Sequence, residues 1–179
     1  MTSIIKVNTI QDGAGNTIIS SNGSGTFTSN LPDNTPAFQA IKVSGSSNQS
    51  VSGATATKIT FDNETYDTDS DFASNKFTPT TAGKYFFSFF VRFHPDGGGI
   101  EDIYTQVYKN GSALGNYALD QQSANVDQFQ DGQDSSLSGT FVDTANGTGD
   151  YYELYVYHQS GHTVIYKDAL FQAFKLIGV

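Results

Sequence analysis

The chain has no cysteine, so neither a disulfide framework nor thiolate chemistry is open to it. Basic residues are scarce. Nine Lys and Arg against 18 Asp and Glu leave a net charge of −9, which excludes the broad basic face that nucleic acids or anionic lipids require. No apolar run is long enough to cross a bilayer as a helix. Residues 1–13 lack a long apolar region and a cleavage pattern, so no signal peptide is expected. The protein is then expected to be made in a cytoplasm, to stay there, or to leave as part of an assembly or by lysis. Sustained helical periodicity is missing throughout.

What the chain does have is aromatic residues and turn formers. Hydrophobic residues make up only 37% of it, but 14 Phe, 10 Tyr and 18 Gly together favour an all-β fold with many turns. The organising stretch is residues 76–93. Its second half alternates in period two, with Tyr85, Phe87, Phe89, Val91 and Phe93 on one face. Phe86, Ser88, Phe90 and Arg92 fall on the other. Because Phe86 and Phe90 make that second face apolar as well, the strand needs cover on both sides. One cover is the opposite sheet of a sandwich; a second subunit is the other.

Three regions follow from composition. Residues 1–28 form a separate unit, with strands expected over 3–10, 17–20 and 26–28 around Gly- and Asn-rich turns. Such short strands bury no core alone, so Ile4, Ile5, Val7, Ile10, Ile18, Ile19 and Phe27 read as anchoring residues that add strands to a neighbouring protein. A flexible leader is the alternative. Residues 29–36, with two prolines, Asn and Asp, form a linker. Residues 37–179 hold eight to ten short strands, which suggests a jelly-roll sandwich. Strands are expected over 37–43, 55–61, 84–93, 103–108, 114–119, 137–142, 151–157 and 169–177, with 72–77 leading into 84–93 through a turn at 80–83 and Asn110-Gly111 as a hairpin turn. Residues 45–49, 94–99, 120–136 and 158–167 read as connections, and 62–70 as an acidic loop or short irregular strand.

The order of several short motifs resembles the C1q-like globular head, the trimeric jelly roll shared with the tumour necrosis factor superfamily. Phe61 and Tyr66 precede Phe77, Pro79, Gly83, Tyr85 and Phe87 at the spacing of that family's F-x-P-x-x-x-G-x-Y-x-F. Tyr108-Lys109-Asn110-Gly111, Ser138-Gly139, Gly149-Asp150 before Tyr151-Tyr152, and Phe171-x-Ala173-Phe174-x-Leu176 follow in family order. Ala173 departs from the usual Gly, and Val142 stands where Leu is common. The resemblance implies a homotrimer with Tyr85, Phe86, Phe87, Phe89, Phe90, Phe171 and Phe174 in the trimer interface or core. Residues 4–28 look like the leader of structural proteins of marine tailed bacteriophages. That likeness implies a virion subunit, a tail fibre or capsid decoration, anchored to a capsid or tail protein through residues 1–28.

Candidate chemistry is sparse. His158 and His162 flank a tight turn, but two histidines without a third ligand make a poor zinc site. The acidic stretch offers calcium candidates in Asp67, Asp69 and Asp71, though not at EF-hand spacing, and no cofactor is otherwise expected. There is no G-x-S-x-G elbow, and nothing marks a raised pKa among the loop carboxylates, so no enzyme is expected. Tyr104, Tyr108, Tyr117 and Tyr157 are assigned to core or interface packing rather than to sugar stacking. Recognition is expected on the long polar connections, at His94 and Asp96 and at Asp127, Gln128, Phe129, Gln130 and Asp131. The outward partner would be a host surface glycan or protein. A stand-alone carbohydrate- or receptor-binding lectin-like module is the alternative reading, and an enzyme acting on surface glycans a third.

Overall fold

The structure, a computed structural model, describes residues 6–29, 33–45, 48–100, 102–123 and 132–178. The chain divides into two compact units, Met1–Asp33 and Asn34–Val179.

In the first unit, β1 (Thr9–Gln11), β2 (Thr17–Ser21) and β3 (Phe27–Ser29) form an antiparallel meander. Its turns are held by side chains rather than by a core. The Asp12 carboxylate accepts the backbone N–H groups of Ala14 and Asn16, each at 2.9 Å, and Asn22 Oδ1 accepts that of Ser24 at 2.8 Å. These Asx turns close each hairpin locally. The expected first strand, residues 3–10, is therefore reduced among the described residues to a short one at its C-terminal end.

The second unit runs through β4 (Ala37–Lys42), β5 (Gln49–Val51), β6 (Thr57–Lys58), β7 (Asn63–Asp67), β8 (Phe72–Ala73), β9 (Lys76–Phe77) and β10 (Gly83–Asp96). It continues with β11 (Asp102–Lys109), β12 (Ser112–Ala113), a 3-10 turn at Asn116–Ala118, β13 (Leu119–Ser123), β14 (Ser135–Ala145), β15 (Tyr152–Gln159) and β16 (Thr163–Lys175). One sheet has the order β14-β10-β16-β4-β7, with β5 also paired to β16. The other has the order β12-β11-β15-β9-β8, with β13 against β11 and β6 against β15. All pairings are antiparallel.

The core lies between the two sheets and is aromatic. Tyr85, Phe87, Phe89, Val91 and Phe93 are all buried, as the alternation predicts. Phe87 packs against Phe141 and Tyr152 with centroids 4.7 and 4.5 Å apart, and Phe38 stacks on Phe77 at 4.3 Å. Gly139 sits on β14 opposite Phe89, where a Cβ would collide with the ring. At the β11–β12 turn, Asn110 and Gly111 both have positive φ, the backbone a two-residue hairpin needs.

Several boundaries differ from the sequence expectation. Residues 94–99 do not form a loop throughout: β10 continues through His94, Pro95 and Asp96, which pair with Ile165, Val164 and Thr163. The connection over 158–167 shrinks to the turn between β15 and β16, because Val164 and Tyr166 alternate inward and extend the last strand. Residues 55–61 pair only at Thr57–Lys58, and the return after Asn110-Gly111 breaks into β12, the 3-10 turn and β13.

Candidate interaction surface

Strand register places two different sets of aromatics on β10 and β16. Tyr85, Phe87, Phe89 and Phe171 are buried in the core. Phe86, Phe90 and Phe174 are on the opposite face of the same sheet, away from the core. The seven residues grouped by sequence as interface or core therefore separate cleanly into four core residues and three surface residues.

That outward face is built in cross-strand rows, because residues paired in an antiparallel ladder share a face. The first row is Val142, Phe86, Phe174 and Ala37. The second is polar: Thr140, Ser88, Gln172 and Gln39, with Gln39 Nε2 donating to Gln172 Oε1 at 2.6 Å. The third is Ser138, Phe90, Leu170 and Ile41. Phe86 and Phe174 lie 5.3 Å apart between ring centroids. Phe90 is 36% exposed and Val142 46%, so the two apolar rows remain open to solvent in the single chain. Exposed apolar patches of this kind mark contact surfaces.

The face ends in charge. Between Arg92 and Phe93 the register with β16 slips, and the extra residue lets Lys167 and Asp168 both lie half-buried beside each other. A bulge re-aims side chains in this way. Arg92 pairs with Asp168 and, at 3.1 Å, with Asp134. His94 Nδ1 lies 2.7 Å from Asp134 Oδ1, and Lys167 Nζ 2.9 Å from the same oxygen. Hydrogen bonds from Lys167 and His94 hold the Asp134 carboxyl below the usual carboxylate range. Sequence reading missed this cluster. Its one visible signal was the pair Lys167-Asp168 interrupting an otherwise alternating strand.

His94 thus sits in an ion-pair cluster on a strand, and Asp96 ends that strand as an exposed residue. Asp127, Gln128, Phe129, Gln130 and Asp131 lie outside the described residues, as do Ile4 and Ile5. Of the anchoring residues, Val7, Ile10 and Phe27 are 55%, 47% and 69% exposed, and Ile18 and Ile19 are half-buried. Tyr104, Tyr108 and Tyr157 are neither core nor fully exposed. They lie half-buried, and with Tyr155 they form two stacked pairs, Tyr104–Tyr157 and Tyr108–Tyr155, at 4.8 and 4.1 Å. Tyr117 is not on a strand; it lies in the 3-10 turn and is 58% exposed.

Of the three calcium candidates, Asp67 and Asp71 are occupied by the fold, and Asp69 is exposed. Asp67 accepts the N–H groups of Asp71 and Phe72 at 3.0 and 2.9 Å. Asp71 is buried and accepts both the N–H and the hydroxyl of Thr80. Desolvation raises the Asp71 pKa against these bonds. Among the described residues no three His, Cys, Asp or Glu side chains are grouped to hold a metal. His158 and His162 do not converge. His158 is buried, with Nε2 donating to the Val51 carbonyl at 3.0 Å, whereas the His162 ring lies against Gly97 and Gly98.

No family model matches the chain, and no curated protein matches its sequence. Solved structures do. The globular domain of zebrafish complement 1qA protein aligns with TM-score 0.54 and 18% identity, over 79% of this chain and 96% of that one. Murine APRIL aligns with TM-score 0.52 and 13% identity, over 78% and 99%. Eiger TNF from S. frugiperda aligns with TM-score 0.50 and 16% identity, over 80% and 95%. The protein is an all-β chain whose main unit is a C1q/TNF-like jelly roll.

Proposed function

We propose that this chain is a non-enzymatic structural subunit of a bacteriophage virion, a fibre or decoration protein. It associates as a homotrimer, is mounted through its N-terminal meander on a capsid or tail protein, and displays the jelly roll outward in aid of host attachment. The observation that carries the self-association is the pair of apolar rows on the outward face, Phe86–Phe174 and Phe90–Leu170, bounded by the ion cluster around Arg92 and Asp134. Closed symmetry covers such a face on every copy at once. The threefold order comes from the resemblance to C1q-like heads.

Mounting is supported by the exposed Val7, Ile10 and Phe27 of the first unit, in which none of the described residues is buried. The virion setting rests on the likeness of residues 4–28 to phage leaders. The non-enzymatic reading is supported by Asp71, Glu153 and His158, three of the buried titratable residues, each engaged in a structural contact. Mass spectrometry and antibody labelling of purified virions test the proposal: the protein is expected at a fixed place on the particle. Its absence from purified particles would favour the lectin-like alternative.

A further inference from the structure

The edge of the sandwich away from β14 is open. There, among the described residues, β7 pairs only with β4, and β8 only with β9, so each sheet ends without a neighbour. The mouth holds a cavity of about 490 Å³, within the range of small-ligand sites. Phe61 and Phe72 line it, their rings 5.9 Å apart and nearly perpendicular, at 77°. Phe72 is buried and Phe61 is partly exposed, so the aromatic floor is anchored in the core yet reachable.

Polar groups ring this floor. Glu64 is paired with Ala40 on the edge strand, and its side chain is exposed at the mouth. Its carboxylate has no hydrogen-bond or ionic partner among the described residues. Asp62 is fixed in place by the Val43 N–H at 3.0 Å and Lys42 Nζ at 3.5 Å. Across the mouth, the β8–β9 turn holds Ser74 and Asn75 at positive φ. Asn75 Oδ1 accepts the Phe61 N–H at 2.7 Å, which orients the amide and leaves Nδ2 as a donor. Lys58 donates to the Ser74 carbonyl at 3.2 Å and to Glu153 Oε1 at 3.0 Å.

This inventory selects a ligand class. The rim offers acceptors at Asp62 and Glu64, a donor at Asn75 Nδ2, and groups that both donate and accept at Ser74 and Asn63. An ammonium or guanidinium brings only donors and leaves the amide donors unmatched. A phosphate or carboxylate brings only acceptors and meets two carboxylates. Vicinal hydroxyls bring both. An apolar C–H face on the same ligand suits the Phe61 ring. We propose that the cavity binds a neutral hexopyranose, free or as the terminal residue of a glycan. This assignment stands apart from the virion reading and from the outward face of β10. A charged side chain on an edge strand also discourages edge-to-edge pairing, and that role needs neither the cavity nor the free amide.

Saturation-transfer NMR on the full chain separates these roles, with D-glucose, D-galactose and D-mannose as probes and arginine and glucose 6-phosphate as charged comparators. Saturation is expected to reach at least one neutral hexose, with a dissociation constant on the order of 1 mM. Glu64→Ala should weaken it at least about tenfold, the loss of one charged hydrogen bond, with an unchanged unfolding temperature. Tyr117→Ala, remote in sequence and exposed, should leave it unchanged. The proposal is overturned if no hexose receives saturation, if Glu64→Ala has no effect, or if arginine is preferred. Self-association of Glu64→Ala without hexose binding to the parent chain would assign Glu64 to edge protection instead.

Discussion

Phe86 and Phe174 face each other across β10 and β16 with ring centroids 5.3 Å apart, on the side of the sheet that the core does not use. Their strand neighbours Tyr85, Phe87, Phe171 and Ala173 are fully buried on the other side. One pair of strands therefore supplies both the interior of the jelly roll and a second apolar surface, and the two can be perturbed separately.

Replacing Phe86 or Phe90 with Glu should leave the fold intact, because neither side chain enters the core. The unmodified protein should sediment as a trimer at micromolar concentration, and each variant as a monomer with unchanged circular dichroism. A monomeric parent protein would remove the basis of the assembly proposed above.

Deleting residues 1–33 should yield a soluble jelly roll that still trimerises. The cut falls at the boundary between the two compact units, and the described strands of the meander pair only with one another. If residues 1–33 mount the protein, the truncated form should no longer join virions in a complementation assay. Normal incorporation would place the mounting surface on the jelly roll.

The division of aromatics on β10 was legible because period two survives along the whole strand, from Tyr85 to Phe93. The same logic failed at β16. A bulge inserts one residue, so Lys167 and Asp168 both lie outside the core and the ion cluster with Arg92 and Asp134 assembles from distant segments. In the sequence the slip shows only as a break in alternation at Lys167-Asp168, which does not say which distant residues it brings together. The cavity beside Glu64 was hidden for a related reason: another register shift, beside Ala40, sets its position on the edge strand. Asp67 and Asp71 looked like metal ligands in a list of acidic residues. Their backbone partners, which make them struts, become visible only once the turn between β7 and β8 is formed.

Lys109 should matter for stability more than an ordinary surface lysine. Its Nζ lies 2.9 Å from Asp143 Oδ2, 2.7 Å from the Thr144 carbonyl and 3.3 Å from Asp150 Oδ2. This joins β11 in one sheet to β14 in the other. Desolvation works against the charged amine, but the hydrogen bonds and charges of Asp143 and Asp150 together outweigh it and raise the Lys109 pKa. Lys109→Met would leave Asp143 and Asp150 near each other without their shared cation. A loss of about 2 kcal/mol is expected in urea unfolding. A loss indistinguishable from zero would show the cluster to be no stronger than an exposed ion pair.

His158 should make the jelly roll sensitive to mild acid. Its ring is buried, with Nε2 donating to the Val51 carbonyl and Nδ1 2.9 Å from Ser160 Oγ. Desolvation lowers its pKa from 6.5, and the bond to Val51 only partly opposes this. The unfolded chain then binds the proton more readily than the folded one, so stability rises with pH across the interval between the two values. The contribution is complete above about pH 6.5 and is lost as pH falls from there toward the folded value. Each unit of depression corresponds to about 1.4 kcal/mol. The unfolding temperature should therefore drop between about pH 7 and pH 5. His158→Gln, which keeps a donor toward Val51 but cannot titrate, should be less stable at neutral pH and lose less of its stability on acidification. Equal slopes for the two proteins would assign the acid sensitivity to other groups.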